Sequence, residues 1–346
     1  MLNEKDVLIT GGTGSFGKKM VQIILQSYRP RRLIIFSRDE LKQFEMAQVW
    51  SPQKYPCIRY FLGDVRDKDR LMRAFHGVDY VVHAAALKQV PAAEYNPTEF
   101  IHTNILGAMN IIEAALYNKV KRVIALSTDK ACNPVNLYGA TKLCSDKLFV
   151  AANAYSGHED TRFAVVRYGN VLGSRGSVVP FFKERAKTGV LPITDPRMTR
   201  FWITLDQAVH FVLMAAARTR GGEIFVPRIP SMKITDLAQA ISPDCRQEIV
   251  GIRPGEKLHE TLISEDDARK TVEYEDFYAI QHHPRLLDEA LSSGNGKVRL
   301  CPEGFQYTSD NNTSWLKIDD LKKLIERISD DYAIEKSRWS LAGIPQ

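Results

Sequence analysis

Short runs of aliphatic and β-branched residues alternate with stretches of helical periodicity through the first half of the chain. Asp6–Thr10, Leu33–Phe36, Ile58–Leu62, Asp79–His83, Arg122–Ser127 and Phe163–Arg167 are apolar runs bounded by polar residues. Runs of that kind predict strands covered on both faces. Helical patterns follow Gly14, start near Asp39, extend from about Pro97 to Tyr117, and start again near Leu137. Such alternation predicts repeated βαβ units, hence an α/β fold built on a doubly wound parallel sheet of the Rossmann type.

Past Asn170 the rhythm changes. Gly173, Gly176, Pro180, Pro192 and Pro196 predict a loop-rich stretch with one helix near Pro180–Lys187. A helix over Leu205–Ala217 and a strand over Glu223–Val226 are expected to rejoin the main sheet. Later elements are short and mixed. Thr235-Asp236 is expected to cap a helix over Leu237–Ile241, Asp319–Ile328 to form an amphipathic helix, and the last dozen residues to be loosely held. Two domains follow from this: residues 1–170 plus 205–226, and a smaller mixed C-terminal domain of residues 171–204 plus 227–346.

Composition narrows the function classes. The chain has 346 residues, 44% hydrophobic and 25% charged, and no apolar run reaches the ~18 residues of a membrane helix. The polar Met1–Asp6 runs directly into the first strand without the pattern of a signal peptide, so a cytoplasmic location is expected. The net charge of +6 comes from 47 basic and 41 acidic residues. They are interspersed, which favours a phosphate-bearing small molecule over nucleic acid. The five cysteines and eight histidines show no metal-ligand or disulfide spacing, so no metal is expected. Cys132 reads as a packing residue.

The first strand leads into Gly11-Gly12-Thr13-Gly14-Ser15-Phe16-Gly17 and then a helix. Glycines at this spacing let the backbone turn and approach a pyrophosphate that faces the helix N-terminus, which predicts dinucleotide binding. The first of the two domains is therefore expected to bind a dinucleotide and the second a substrate. About 20 residues on, an acidic residue would select NAD. Here Phe36-Ser37-Arg38 stands instead, and a hydroxyl beside a guanidinium suits the 2′-phosphate of NADP. Asp39 is open to two readings, an NAD ribose ligand or the cap of the next helix. Asp64 and Val65 after the third strand are placed to meet the adenine. Ala84, Ala85 and Ala86 are small enough for a flat cofactor to lie against, with Lys88 close behind.

Asp129 and Lys130 follow the fifth strand, after Ser127-Thr128, and Tyr138 and Lys142 are four residues apart on one helix face. A neighbouring ammonium is expected to lower the phenol's pKa so that Tyr138 accepts a hydroxyl proton near neutral pH. Lys130, to act as a base, is expected to have a depressed pKa through desolvation and the nearby Lys142. Asp129-Lys130 taken alone is what a surface ion pair looks like. Its position at a parallel strand's C-terminal end, where such sheets bind ligands, favours chemistry.

These motifs resemble the extended short-chain dehydrogenases/reductases and, more narrowly, the inverting UDP-N-acetylglucosamine 4,6-dehydratases of pseudaminic acid biosynthesis. The resemblance rests on GGTGSFG (11–17), SRDE (37–40), HAAALKQVP (83–91), STDKACNPVNLYGATK (127–142), VRYGNVLGSRGSVVPFF (166–182), DPRMTRFWIT (195–204) and RPGEKLHE (253–260). It implies an NADP-dependent hydro-lyase acting on UDP-N-acetylglucosamine or a close UDP-sugar, and a homo-oligomer. Tyr138 would take the C4 hydroxyl proton, Lys130 the C5 proton, and Asp129 would protonate the departing C6 hydroxyl, with Thr128 and Lys142 completing the catalytic set. Lys88 and Asn170 would touch substrate, Val179 the nucleotide, and Arg200 and Arg253 the diphosphate. A UDP-sugar 4-epimerase and a non-catalytic NADP-sensing module are the alternatives.

Overall fold

The computed structural model describes residues 1–157, 160–174, 177–293 and 298–327. Gly176, Ile328 and the last dozen residues lie outside that range. Ten strands form the main sheet: β1 Asp6–Thr10, β2 Arg32–Ser37, β3 Ile58–Leu62, β4 Tyr80–His83, β5 Arg122–Thr128, β6 Arg162–Tyr168, β7 Ile224–Pro227, β8 Thr271–Glu273, β9 Phe277–Ile280 and β10 Arg299–Leu300. Their order is β10-β8-β9-β7-β6-β5-β4-β1-β2-β3. The seven from β7 to β3 are mutually parallel, and the strand order reverses between β1 and β4. That reversal opens a crevice at the strands' C-terminal ends, where ligands bind in doubly wound sheets.

The apolar runs form strands because both faces are covered. β1 is buried at every residue, and Val7, Leu8, Ile9, Ile34, Ile35, Val123, Ile124 and Val165 belong to one large core. Residues 271–300, which the sequence pattern groups with the smaller domain, instead supply the antiparallel strands β8, β9 and β10 to the end of the main sheet.

The stretch expected to be loop also holds strands. Asn170–Leu172 pairs with Thr199–Thr204, which pairs with Ser231–Lys233, and Val190–Ile193 pairs with Arg246–Ile249. Pro192 fits because its strand lies in a two-stranded sheet, all edge, where a missing N–H costs little. A second core of Leu172, Val179, Phe182, Leu191, Ile193 and Trp202 with neighbours fills this part. The helix expected after Thr235-Asp236 spans Ile234–Ile241, so both residues lie in its first turn and Lys233 is the cap. A helix at 318–327 covers the described part of the predicted Asp319–Ile328 element.

The predicted Pro97–Tyr117 helix carries a π-helical segment, Ile101–Leu106, ahead of Gly107–Tyr117. Its buried Asn104 donates to the Leu87 carbonyl and the Thr141 hydroxyl and accepts from Leu87 N–H. One amide thus ties the loop after β4 to the helix Leu137–Ala151. Among the described residues no helix is long and apolar enough to cross a membrane.

Candidate active site

A cleft of about 670 Å³ runs along the C-terminal ends of β1, β2, β4 and β5. Gly11, Thr13, Gly14, Ser15, Phe16 and Gly17 line one end of it. Gly11 adopts φ +65°, and a Cβ there would sit 2.9 Å from the Ala85 backbone. At Gly17 a Cβ would sit 2.4 Å from the Gly12 carbonyl oxygen. Both positions therefore require glycine. The helix Ser15–Ser27 begins at Gly14 without a side-chain cap, which turns the positive end of its dipole toward an anion in the cleft. A glycine cradle, an uncapped helix start and a wall of Ala84, Ala85 and Ala86 fit a dinucleotide pyrophosphate.

Ser37 and Arg38 line the same cleft with Asp64, Val65 and Lys88. The Ser37 hydroxyl bonds to that of Thr13 at 2.9 Å, and Arg38 lies 3.7 Å from Asp64, which Arg66 also pairs. Asp39 caps the helix Glu40–Val49 by accepting from Lys42 N–H, and its other oxygen pairs with the Lys42 ammonium. Both Asp39 oxygens are thus engaged by Lys42. Lys42 is a second cation at this end of the cleft, one that the motif spacing does not single out. His83 is another such residue: burial holds its pKa down at about 3, and its Nδ1 bonds to the Thr10 hydroxyl at 2.8 Å.

At the other end Thr128, Asp129, Lys130, Tyr138 and Lys142 line the cleft together. They meet because Gly139 lets the Leu137–Ala151 helix pack on the turn after β5, where a Cβ would sit 2.2 Å from the Lys130 carbonyl oxygen. Asn136 caps that helix by accepting from Gly139 N–H, and its amide donates to Gly255. Asp129 is fully buried; its Oδ1 accepts from the Thr128 hydroxyl at 2.9 Å and from Lys130 Nζ at 3.1 Å. The same ammonium lies 3.0 Å from Glu260 Oε1. Below the cluster Asp146 accepts from the Ser127 hydroxyl and pairs with Arg167.

Charge states differ from those the local sequence predicts. Burial alone lowers the Lys130 pKa, but attraction to Asp129 and Glu260 outweighs it and holds the group above the ordinary lysine range. The expected depression is reversed. Burial likewise pushes Tyr138 up to about 12, against the opposing pull of the Lys130 ammonium, so the expected lowering of the phenol is not seen either. Burial raises Asp129, which favours its neutral, proton-donating form. Burial lowers Lys142, with Asp146 opposing, and among the described residues no hydrogen-bond partner holds its ammonium. Cys132 is buried with its thiol pushed up by burial, consistent with a packing role.

Of the residues tied to substrate by resemblance, Lys88 and Asn170 line the cleft and Val179, Arg200 and Arg253 do not. Asn170 Oδ1 is buried without a hydrogen-bond partner among the described residues. Val179 belongs to the second core. The Arg200 guanidinium is committed inside the protein, donating to the carbonyls of Thr199, Lys257 and Leu258. Arg253 is exposed and 4.0 Å from Glu256. Glu260 stands in the 253–260 motif, yet nothing local in the sequence marks it as a neighbour of Lys130 or gives it a role.

A family model described as polysaccharide biosynthesis protein matches residues 7–282. A UDP-N-acetylglucosamine 4,6-dehydratase (inverting) from Campylobacter jejuni is 58% identical over 331 residues, covering 94% of this chain and 98% of that protein. A UDP-glucose 4-epimerase from Rickettsia conorii is 42% identical over 97% of this chain and 99% of that one. Among solved structures, Pen from Bacillus thuringiensis superposes with a TM-score of 0.84 at 36% identity, covering 94% of this chain and 98% of that chain.

Proposed function

Since this chain belongs to the polysaccharide biosynthesis protein family, we propose that it is an inverting UDP-N-acetylglucosamine 4,6-dehydratase, a cytoplasmic, NADP-dependent, homo-oligomeric hydro-lyase serving pseudaminic acid biosynthesis. The observation that carries this reading is the meeting of Asp129, Lys130 and Tyr138 in the cleft that also holds the glycine cradle. The inverting dehydratase relative supports the substrate and the C5 outcome. Ser37, Arg38 and Lys42 support NADP over NAD, since one hydroxyl and two cations suit a 2′-phosphate.

Gly11 to Gly17, Ser37, Arg38, the alanine wall, Tyr138 and Lys142 are the residues to hold the cofactor, which supplies reversible hydride transfer. Tyr138 takes the C4 hydroxyl proton as its phenolate, the resting phenol first passing its own proton to Lys142, whose ammonium form burial disfavours, and Lys130 and Thr128 are proposed to face the same ring. Once C4 is a ketone the C5 proton is acidic; Lys130 removes it while Asp129 protonates the C6 hydroxyl, which leaves as water. With the cofactor bound, return to C6 of the hydride taken from C4, together with a proton added at C5 from the other face, would give UDP-2-acetamido-2,6-dideoxy-β-L-arabino-hexos-4-ulose. Lys88 and Asn170 remain the residues proposed to orient the sugar. Val179, Arg200 and Arg253 keep their proposed nucleotide and diphosphate roles only if the segments carrying them reorganise when substrate binds.

Incubation with UDP-N-acetylglucosamine in heavy water tests the reading. A product lighter by one water, allowing for incorporated deuterium, and labelled at C5 supports it. The 4-epimerase relative favours a second reading, for which the product has unchanged mass and inverted C4. Cofactor binding without turnover of any UDP-sugar would favour the sensing module instead.

A further inference from the structure

Lys130 Nζ bridges two carboxylates, Asp129 at 3.1 Å and Glu260 at 3.0 Å. Both acids are essentially buried, and each has one oxygen, Asp129 Oδ2 and Glu260 Oε2, without a hydrogen-bond partner among the described residues. Asp129 and Lys130 line the cleft while Glu260 does not. Glu260 therefore reaches the reacting region through Lys130.

The segment carrying Glu260 is anchored firmly. Its backbone N–H donates to the Ser309 hydroxyl, and Ser309 N–H returns a bond to the Glu260 carbonyl. Lys257 Nζ donates to the Cys132 carbonyl at 2.6 Å, which fastens the same segment to the turn after β5. Arg200, beyond the ammonium, is 3.7 Å from Glu260. An isolated buried ion pair is costly, and here two carboxylates and two cations are gathered in one buried cluster. The arrangement is held at a cost that a plain packing contact would avoid.

We infer that Glu260 is the positioning residue that makes Lys130 usable as a base, by holding its ammonium at rest and accepting its proton during turnover. This rests on the dehydratase reading. One N–H bond of Lys130 breaks and an O–H bond forms on Glu260, an uphill transfer, because their mutual attraction favours the ammonium and the carboxylate at rest. The neutral amine then takes the C5 proton, whose bonding pair becomes the C5–C6 double bond. The C6–O bond breaks as Asp129 gives its proton to the departing hydroxyl. Afterwards Lys130 is again an ammonium, Asp129 is ionised and Glu260 is neutral. Passing the Glu260 proton through Lys130 to Asp129 restores the start. No proton need leave the buried cluster.

The charged and titratable groups facing Lys130 are Asp129, Glu260, Arg200 and Tyr138, with Lys257 beside Glu260. Replacing Glu260 by Gln keeps shape and removes one negative charge, so Lys130 should lose protons more easily by ~1 unit or more. The test follows the Lys130 side-chain nitrogen by NMR titration in the whole protein, assigned through loss of its signal in Lys130→Arg, alongside turnover against pH. In Glu260→Gln the Lys130 titration moves down. Its turnover at neutral pH falls by ~10-fold or more and climbs with pH, because the proton must now pass to solvent. Glu260→Asp, which keeps a carboxylate, restores the wild-type pH profile in part. An unmoved titration, or a loss of turnover equal at every pH, overturns the inference. If the titration moves but wild-type protein releases no water from UDP-N-acetylglucosamine, the dehydratase reading falls and with it the proton-accepting role of Glu260.

Discussion

The glycine cradle at 11–17 and the acid–base turn at 128–132 both sit at strand ends of one sheet, yet they are specified in different ways. The cradle's turn is local, with Gly17 packed on Gly12 five residues back, while Gly11 meets the end of β4 across the sheet. The spacing of residues a few positions apart is enough to read it. The turn after β5 takes its electrostatic character from afar. Glu260 lies 130 residues beyond Lys130 and alters its charge more than any sequence neighbour except Asp129. Binding geometry can be written in a short motif, whereas a pKa is a sum over everything within several ångströms.

Changes at the two ends should separate accordingly. The largest effect is expected for Tyr138→Phe. Removing the phenol should cut turnover by ~10²–10⁴-fold while dinucleotide binding, followed by fluorescence titration, is kept. Near-normal product formation in that variant would detach the tyrosine from the proposed chemistry.

A matched pair of glycine substitutions comes next. Gly139→Ala drives a Cβ against the Lys130 carbonyl and should cost about 1–3 kcal/mol in urea unfolding, with turnover falling and dinucleotide affinity kept. Gly17→Ala makes a similar clash inside the cradle, so dinucleotide affinity should fall first. If both variants lose affinity and turnover in the same proportion, the two ends are not independently specified.

The remaining effects concern cofactor choice. Arg38→Ala should weaken NADP binding by roughly 1.5–3 kcal/mol and leave NAD almost untouched, since only the 2′-phosphate meets the guanidinium. Asp39→Ala removes a helix cap and should cost ~1 kcal/mol of stability without changing that preference. A large loss of NAD binding in Asp39→Ala would instead make the carboxylate a ribose ligand.

Much of the fold is legible in the order of residues. The apolar runs mark strands β1 to β6 to within a residue or two, and all of these except the edge strand β3 are largely buried, which leaves an apolar signature. Beyond Asn170 the strand at Ile224–Pro227 is legible, while Val190–Ile193 escapes because its proline reads as a breaker that a short edge strand tolerates. The π-helical turn at Ile101–Leu106 leaves no mark, having neither proline nor glycine to signal it. Of the candidate residues, the cofactor and acid–base groups converge on one cleft. Arg200 and Arg253 do not join them, because a guanidinium in sequence carries no information about which carbonyls or carboxylates will claim it.

The amino-acid order by itself determined the parallel part of the sheet, its crossover helices, the phosphate cradle and the identity of the groups able to move protons, since these follow from periodicity, glycine spacing and side-chain type. Only the tertiary structure decided their charge. Folding buries Tyr138 and Asp129, which disfavours their ionised forms, and brings Glu260 onto Lys130, which favours its ammonium. Desolvation and long-range pairing arise only once distant segments share a dry interior, so no stretch of sequence contains them.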